Sequence, residues 1–264
     1  MSVLVVAICI LYVLAGYVCI RALKDKQTVA SLPLSMSAGA AIALHAIWLW
    51  QELFFAGGQD LSIFNIACLI ALLITTSTTV LARTFKLWFV LPVIYLFAIL
   101  ALLLANFIPS HYIIHLELRP QILIHISLAL ASFTVLMIAA LYSLQLAYLD
   151  RSLKEHKARA LHPALPSLMV IERQLFRLVS LGFVLLTLSL VSGYFFLGDL
   201  FASGKAHKAV FSVLAWLVYA LLLWGHYQQG WRGRRVTTMS VLGALLLSLA
   251  YFGSRIVREL ILGR

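Results

Sequence analysis

The stretch Leu87-Trp-Phe-Val-Leu-Pro-Val-Ile-Tyr-Leu-Phe-Ala-Ile-Leu-Ala-Leu-Leu-Leu-Ala-Asn-Phe107 holds no charged residue and runs into Asn106-Phe-Ile-Pro109. A helix needs about 20 apolar residues to cross the hydrocarbon core of a bilayer, and this run supplies them. The same pattern recurs on both sides of it, at about 3–20, 32–55, 61–82, 121–149, 178–198, 208–228 and 236–257. Each run is bounded by charge, Gly, Pro or Asn, as in Ala56-Gly-Gly-Gln-Asp60. Together with 87–107, these spans and their short connections use up the chain of 264 residues. The expected fold is all-α: a polytopic membrane helix bundle of about eight transmembrane helices. Residues 1–264 are expected to form a single integral membrane domain, without a soluble domain, low-complexity tract or internal repeat.

Composition agrees with this. The chain is 63% hydrophobic and 11% charged, with a mean hydropathy of +1.03. An average soluble domain is about half apolar and about a quarter charged. A soluble globular protein, a disordered chain and a secreted disulfide scaffold are all excluded. The net charge of +11 would suit a nucleic-acid binder. Here, however, the basic residues sit in short clusters between apolar spans, the pattern that sets membrane orientation. The lipid bilayer is therefore the expected partner and nucleic acid is not. The run at 3–20 has no basic segment before it and no small-x-small cleavage site after it, so it reads as a retained helix rather than a signal peptide.

Orientation follows from the distribution of Lys and Arg. The loops after spans 1, 3, 5 and 7 hold Arg21, Lys24, Lys26, Arg83, Lys86, Arg151, Lys154, Lys157, Arg159, Arg173, Arg177, Arg232, Arg234 and Arg235. Those fourteen stand against six on the opposite side: Arg119, Lys205, Lys208, Arg255, Arg258 and Arg264. The basic side faces the cytoplasm, so both termini are expected outside it.

Cysteine chemistry is absent from the reading. Cys9, Cys19 and Cys68 lie inside apolar spans and form no Cys-x-x-Cys pair. That excludes a thiol–disulfide active site and a self-attached c-type haem, which needs Cys-x-x-Cys-His. Buried cysteines of this kind act as small hydrophobes.

The eight histidines separate by position. His156 and His162 fall in the basic cytoplasmic loop and read as solvated residues. His207 opens span 7 at the interface. His45, His125 and His226 lie within spans, and His111 and His115 lie in the outer loop 108–120. A single intramembrane histidine most simply hydrogen-bonds a neighbouring helix. Three of them beside a His-rich outer loop point to a site. Ion-coupled transport calls for intramembrane carboxylates as countercharge, yet the spans offer only Glu52 near the outer end of span 2 and Asp150 at the inner end of span 5. A bare transition-metal site recruits thiolate or carboxylate beside imidazole, and no such cluster is present. Haem suits better: it is flat and apolar, takes neutral imidazole on its iron, and its propionates want arginine, here Arg119 and Arg255 on the outer face.

At about 1.5 Å per residue, His125 lies only about 6 Å below the outer end of span 5. His45 falls near the middle of span 2 and His226 near the inner end of span 7. The depths group His115 with His125 on the outer side and His45 with His226 on the inner side. Trp216, Tyr219, Leu223 and His226 share one helix face, as do His45, Trp48 and Glu52. Aromatic stripes at this spacing more often serve packing than a cofactor.

The segment His125-Ile-Ser-Leu-Ala-Leu-Ala-Ser-Phe133 resembles the His-Val-x-x-x-x-x-Ser-Tyr helix of the CcsA/CcmC cytochrome c assembly (haem-handling) membrane proteins. Ala215-Trp-Leu-Val-Tyr219, Gly230-Trp-Arg-Gly-Arg-Arg235 and Ala250-Tyr-Phe-Gly253 resemble the later part of the CcsA sequence in the same order. The resemblance spans about 60–260 and, with the eight-span plan, is nearest the shorter YpjD-type branch. It implies non-covalent haem b in the membrane, with His125 carried over as an outer-face ligand. It also implies cytochrome c maturation proteins or apocytochrome as partners, a bacterial inner-membrane location, and no catalytic turnover. His45, His226 and His115 complete the candidate axial ligands to the haem iron. The chain departs from the family at three places. Ala206-His207-Lys208 stands where the Trp-rich external motif ends in Trp-Asp-Pro-Lys. Trp224 takes the place of the late-helix histidine, and Gly253-Ser-Arg255 stands near where a last external histidine is found. The alternative reading is a small-solute or ion permease, or an accessory subunit of a membrane transport complex; a helix bundle that scaffolds another membrane complex is a third.

Overall fold

The computed structural model describes residues 3–25, 31–54, 58–85, 87–108, 113–114, 120–154, 168–196 and 206–253. It is an all-α membrane helix bundle. Among the described residues, seven helices are long and apolar enough to cross a membrane, and an eighth apolar helix is shorter. In chain order they are α1 (Val3–Lys24), α2 (Leu32–Leu53), α3 (Ile63–Phe85), α4 (Leu91–Phe107), α5 (Pro120–Lys154), α6 (Leu168–Phe196), α7 (Ala206–Gln229) and α8 (Arg234–Ser248). A π-helical turn, Leu249–Gly253, continues α8. Two short strands, β1 (Gln59–Asp60) and β2 (Ile113–Ile114), pair antiparallel, with Gln59 opposite Ile114.

Local sequence chemistry sets several boundaries. Pro33 and Pro92 sit in the first positions of α2 and α4, where a missing N–H costs nothing and φ is already helical. The start at Leu91 makes α4 shorter than the apolar run 87–107, whose first residues form a buried turn. α6 starts at Leu168, upstream of the expected 178, so Arg173 and Arg177 are helical residues rather than loop residues. Hydropathy marks only the part of a helix inside hydrocarbon, whereas backbone hydrogen bonding continues into the polar interface. The α7–α8 turn uses Gly230 and Gly233, both at positive φ (65° and 64°), a conformation that a Cβ disfavours.

The chain forms two compact units. One comprises Met1–His115 with Ser152–Ser167, the other Leu116–Arg151 with Leu168–Arg264. In the first, α1 packs on α2 and α4, and α3 packs on α2 and α4. The α1 face that makes these contacts presents Ala15, Gly16, Cys19 and Ala22; small residues let membrane helices approach closely, where dispersion rather than hydrophobicity drives association. Cys19 donates its thiol to the Trp88 carbonyl at 3.3 Å. In the second unit, α7 packs on α6 and α8. A Cβ built on Gly243 of α8 would lie 2.6 Å from the ring of buried Tyr219, so only glycine admits that ring. Large apolar side chains such as Phe97, Phe107, Leu188 and Leu245 are exposed, which suits helices whose outer faces meet lipid.

Candidate functional site

His45 lies mid-way along α2 and is fully buried. The Tyr12 hydroxyl of α1 stands 3.1 Å from its Nδ1, with the two rings edge to face. Tyr12 stacks on Tyr95 of α4 at 5.6 Å between centroids. The Tyr95 hydroxyl meets that of Thr79 on α3 at 3.2 Å. Trp48, one turn along α2, flanks the imidazole. All four helices of the first unit thus contribute a polar or aromatic side chain to one cluster. His45 Nε2 is buried and has no hydrogen-bond partner among the described residues. Buried polar atoms almost always have one, so this nitrogen is a position from which a ligand can be held.

His125 is in the second turn of α5 and half-buried. Its Nδ1 is 3.1 Å from the Ser189 carbonyl and 3.0 Å from the Ser192 hydroxyl, both on α6. Ser192 already donates to that same carbonyl at 2.9 Å. A carbonyl only accepts, so the proton of His125 sits on Nδ1 and the lone pair on Nε2. Two turns further along the same helix pair, Ser132 donates to the Gly182 carbonyl at 3.1 Å.

His226 is in the last turn of α7. Its ring stacks face to face on Phe176 of α6, with centroids 3.3 Å apart. Its Nδ1 is 3.3 Å from the Trp231 carbonyl, which again fixes the proton on Nδ1. The Trp231 ring covers Gly225 so closely that a Cβ there would enter it. Arg232 reaches back to Glu172 on α6 at 3.1 Å, and Arg235 lies over the Trp231 ring. Holding Nδ1 on a carbonyl and leaving Nε2 available is the arrangement of metal-ligating histidines, whose second nitrogen is anchored so that ring orientation and basicity are set.

The described histidines keep separate surroundings: His45 belongs to the first unit, His125 and His226 to the second. His115, Arg119 and Arg255 lie outside the described residues, as do His111, His156 and His162; His207 opens α7, with its side chain undescribed. Of the α2 stripe, His45 and Trp48 are buried but Glu52 is exposed. The α7 stripe divides between two neighbours. Trp216 donates its indole N–H to Thr187 of α6 at 2.9 Å and stacks on Phe183, while the Tyr219 hydroxyl donates to the Ser240 carbonyl of α8 at 3.3 Å. That stripe is helix packing.

Sequence reading missed the partners. Tyr12, Tyr95 and Thr79 form the His45 cluster, Ser189 and Ser192 hold His125, and Phe176 and Trp231 hold His226. One signal was available for the first group: Thr75-Thr-Ser-Thr-Thr79 puts five hydroxyls in succession into an apolar span, and such groups must find partners inside the bundle.

Residues 32–262 match the family described as cytochrome C assembly protein. The chain is 49% identical over 228 residues to the inner membrane protein YpjD of Escherichia coli strain K12, covering 86% of each chain. It is 32% identical over 80 residues to the cytochrome c biogenesis protein CcsA of Prochlorococcus marinus strain MIT 9303, covering 30% of this chain and 25% of that one. No solved structure matches it. The family match runs from the start of α2 to beyond the described end of α8, over a bundle that holds three intramembrane histidines by Nδ1: this chain belongs to the cytochrome c assembly protein family.

Proposed function

We propose that this chain binds haem within the membrane and serves cytochrome c assembly or haem trafficking, without catalytic turnover of its own. The observation that carries the reading is the buried Nε2 of His45, which has no hydrogen-bond partner among the described residues. It is supported by His125 and His226, whose Nδ1 atoms are likewise engaged. Neutral imidazoles with a free Nε2 are the donors that haem iron takes, so the residues present fit the group. Bound haem supplies an iron that accepts such nitrogens. The ligand candidates are His125, His45, His226 and His115, with Arg119 and Arg255 as the cations that neutralise propionates. Lacking Cys-x-x-Cys-His, the chain would hold haem b non-covalently. Its partners are apocytochrome or other maturation proteins, and its location is the bacterial inner membrane, in line with the name of its Escherichia coli relative.

The deciding experiment is the absorption and pyridine haemochrome spectrum of the purified full-length protein. A Soret band and a reducible α-band, both much reduced in His125→Ala, are expected. A colourless protein that takes up no haem on reconstitution overturns the reading and favours the permease alternative. The basic loops are proposed to face the cytoplasm. A reporter active only outside the cytoplasm is then expected to work when fused after Arg264 and to fail after Arg159; the reverse pattern inverts the topology.

A further inference from the structure

We infer that Ser192 is a positioning residue: with the Ser189 carbonyl it brackets the Nδ1 proton of His125 and so aims Nε2 away from α6, toward a metal. The role rests on the reading of His125 as a haem ligand. It follows from three hydrogen bonds within α5 and α6. The Nδ1 of His125 is 3.1 Å from the Ser189 carbonyl and 3.0 Å from the Ser192 hydroxyl. That hydroxyl donates its single proton to the same carbonyl at 2.9 Å and keeps its lone pairs for accepting. One N–H thus meets two acceptors, a three-centre bond. The opposite proton order fails. If Ser192 donated to Nδ1, the proton of the neutral imidazole would lie on Nε2, and the bare Nδ1 would face the carbonyl oxygen with no proton between them.

The two acceptors differ in what they set. The carbonyl sets the tautomer, because it can only accept. A single acceptor leaves the ring free to pivot about one bond, whereas the hydroxyl beside it holds the ring plane. The hydroxyl also completes a chain from Nδ1 through Oγ to the carbonyl, in which each hydrogen bond polarises the next. Partners of this kind orient metal-bound histidines and raise their basicity. Ser189 and Ser192 are only 5% and 8% exposed, which shields both acceptors from water, while the His125 ring is half-buried. The two nitrogens of an imidazole point nearly opposite ways, so the ligand edge of His125 lies on the far side of the ring from α6.

The test uses the full-length protein. In the haem-free form, nitrogen-15 NMR of the His125 ring, assigned by loss of its signals in His125→Asn, is expected to show the proton on Nδ1. A proton on Nε2 overturns the inference without touching the haem reading. Ser192→Ala removes the hydroxyl and leaves the carbonyl. It is expected to keep the tautomer, to weaken haem retention roughly tenfold, the lower end for an outer partner, and to raise the reduction potential of the bound iron. Thr187→Val deletes a different hydrogen bond of α6, the one from Trp216 on α7, and is expected to leave retention and potential unchanged. If Thr187→Val moves them as Ser192→Ala does, the effect is one of helix packing and the inference falls. If His125→Gly alters haem content or spectrum but Ser192→Ala changes neither retention nor potential, the inference falls and the ligand reading stands. If His125→Gly changes neither haem content nor spectrum, the inference and the reading of His125 as a ligand both fall.

Discussion

In the first unit the imidazole of His45 is held by a side chain, the Tyr12 hydroxyl, within a cluster drawn from four helices. In the second unit, His125 and His226 are held by main-chain carbonyls, those of Ser189 and Trp231. A carbonyl cannot be removed by substitution and moves only with its helix, so it fixes an imidazole as firmly as the helix itself is placed. A hydroxyl can be deleted, and its own donors and acceptors decide which way the proton points. The first unit therefore has a histidine that can be tuned through its neighbours. The second has histidines whose tautomers are set by the backbone, one half-buried near the start of α5 and one in the last turn of α7. Helix packing differs in the same sense. In the second unit, neighbouring side chains occupy the space over Gly182, Gly225 and Gly243, whereas in the first unit a Cβ on Gly39 meets nothing within 4 Å.

The largest expected effect tests whether the two kinds of histidine act independently. His45→Ala and His125→Ala should each cost more haem than the loss of an outer partner, which is about 10–100-fold in affinity. If the sites are independent, each single variant loses its own share of haem and the double variant loses the sum of the two, as effects add for residues that share no partner. Haem titration of the two single variants and the double variant decides this. A double variant that holds as much haem as the worse single one means that the two histidines do not act independently, and the contrast between the units then has no counterpart in haem binding.

A smaller effect is expected from packing. Gly243→Ala would press a methyl group into the ring of buried Tyr219, and overpacking of this kind costs about 1–3 kcal/mol. Gly39→Ala makes the same chemical change in the open and should gain up to about 1 kcal/mol from helix propensity. Thermal unfolding of both variants in detergent is expected to move in opposite directions. Equal shifts would show that the tight glycine contact in the second unit relaxes and that the two units pack alike.

How far each feature was legible in the sequence follows from what had to meet. The apolar runs were legible because the bilayer demands a self-contained length of helix, a property of consecutive residues. The histidines were legible because ionisable groups in hydrocarbon are rare. Their holders were not. Tyr12 and His45 are 33 positions apart and His125 and Ser192 are 67 apart, and no periodicity within one helix says which face of another it meets. Neither were the true ends of α6 and α5, since Glu172, Arg173 and Lys154 continue their helices beyond the hydrocarbon. The pairing of Gln59–Asp60 with Ile113–Ile114 is too short to leave a pattern. The α7 stripe was legible as a shared face, but its use in packing appears only with Thr187 and Ser240 opposite it.

The smallest expected effect compares the ion pairs of the two units. Arg21–Asp25 in the first unit is a pair one turn apart at the C-terminal end of α1, at 3.5 Å, with side chains 69% and 46% exposed. Glu172–Arg232 in the second joins α6 to the α7–α8 turn at 3.1 Å; Arg232 is 70% exposed but Glu172 only 18%. Exposed helical pairs contribute about 0.3–0.5 kcal/mol and are screened by salt. The second pair has one shielded carboxylate and closes a turn that also carries the Trp231 carbonyl of the His226 contact. Its double-mutant cycle, Glu172→Gln with Arg232→Gln, is expected to give a coupling of about 1 kcal/mol, at the upper end for such pairs, against less than half of that for Arg21→Gln with Asp25→Asn. Raising the ionic strength should shrink the first-unit coupling more, because Debye screening acts most on charges in water. Equal couplings, or equal salt sensitivity, would show that the α7–α8 turn is held by Gly230, Gly233 and the Trp231 ring alone, with Arg232 as a solvated neighbour.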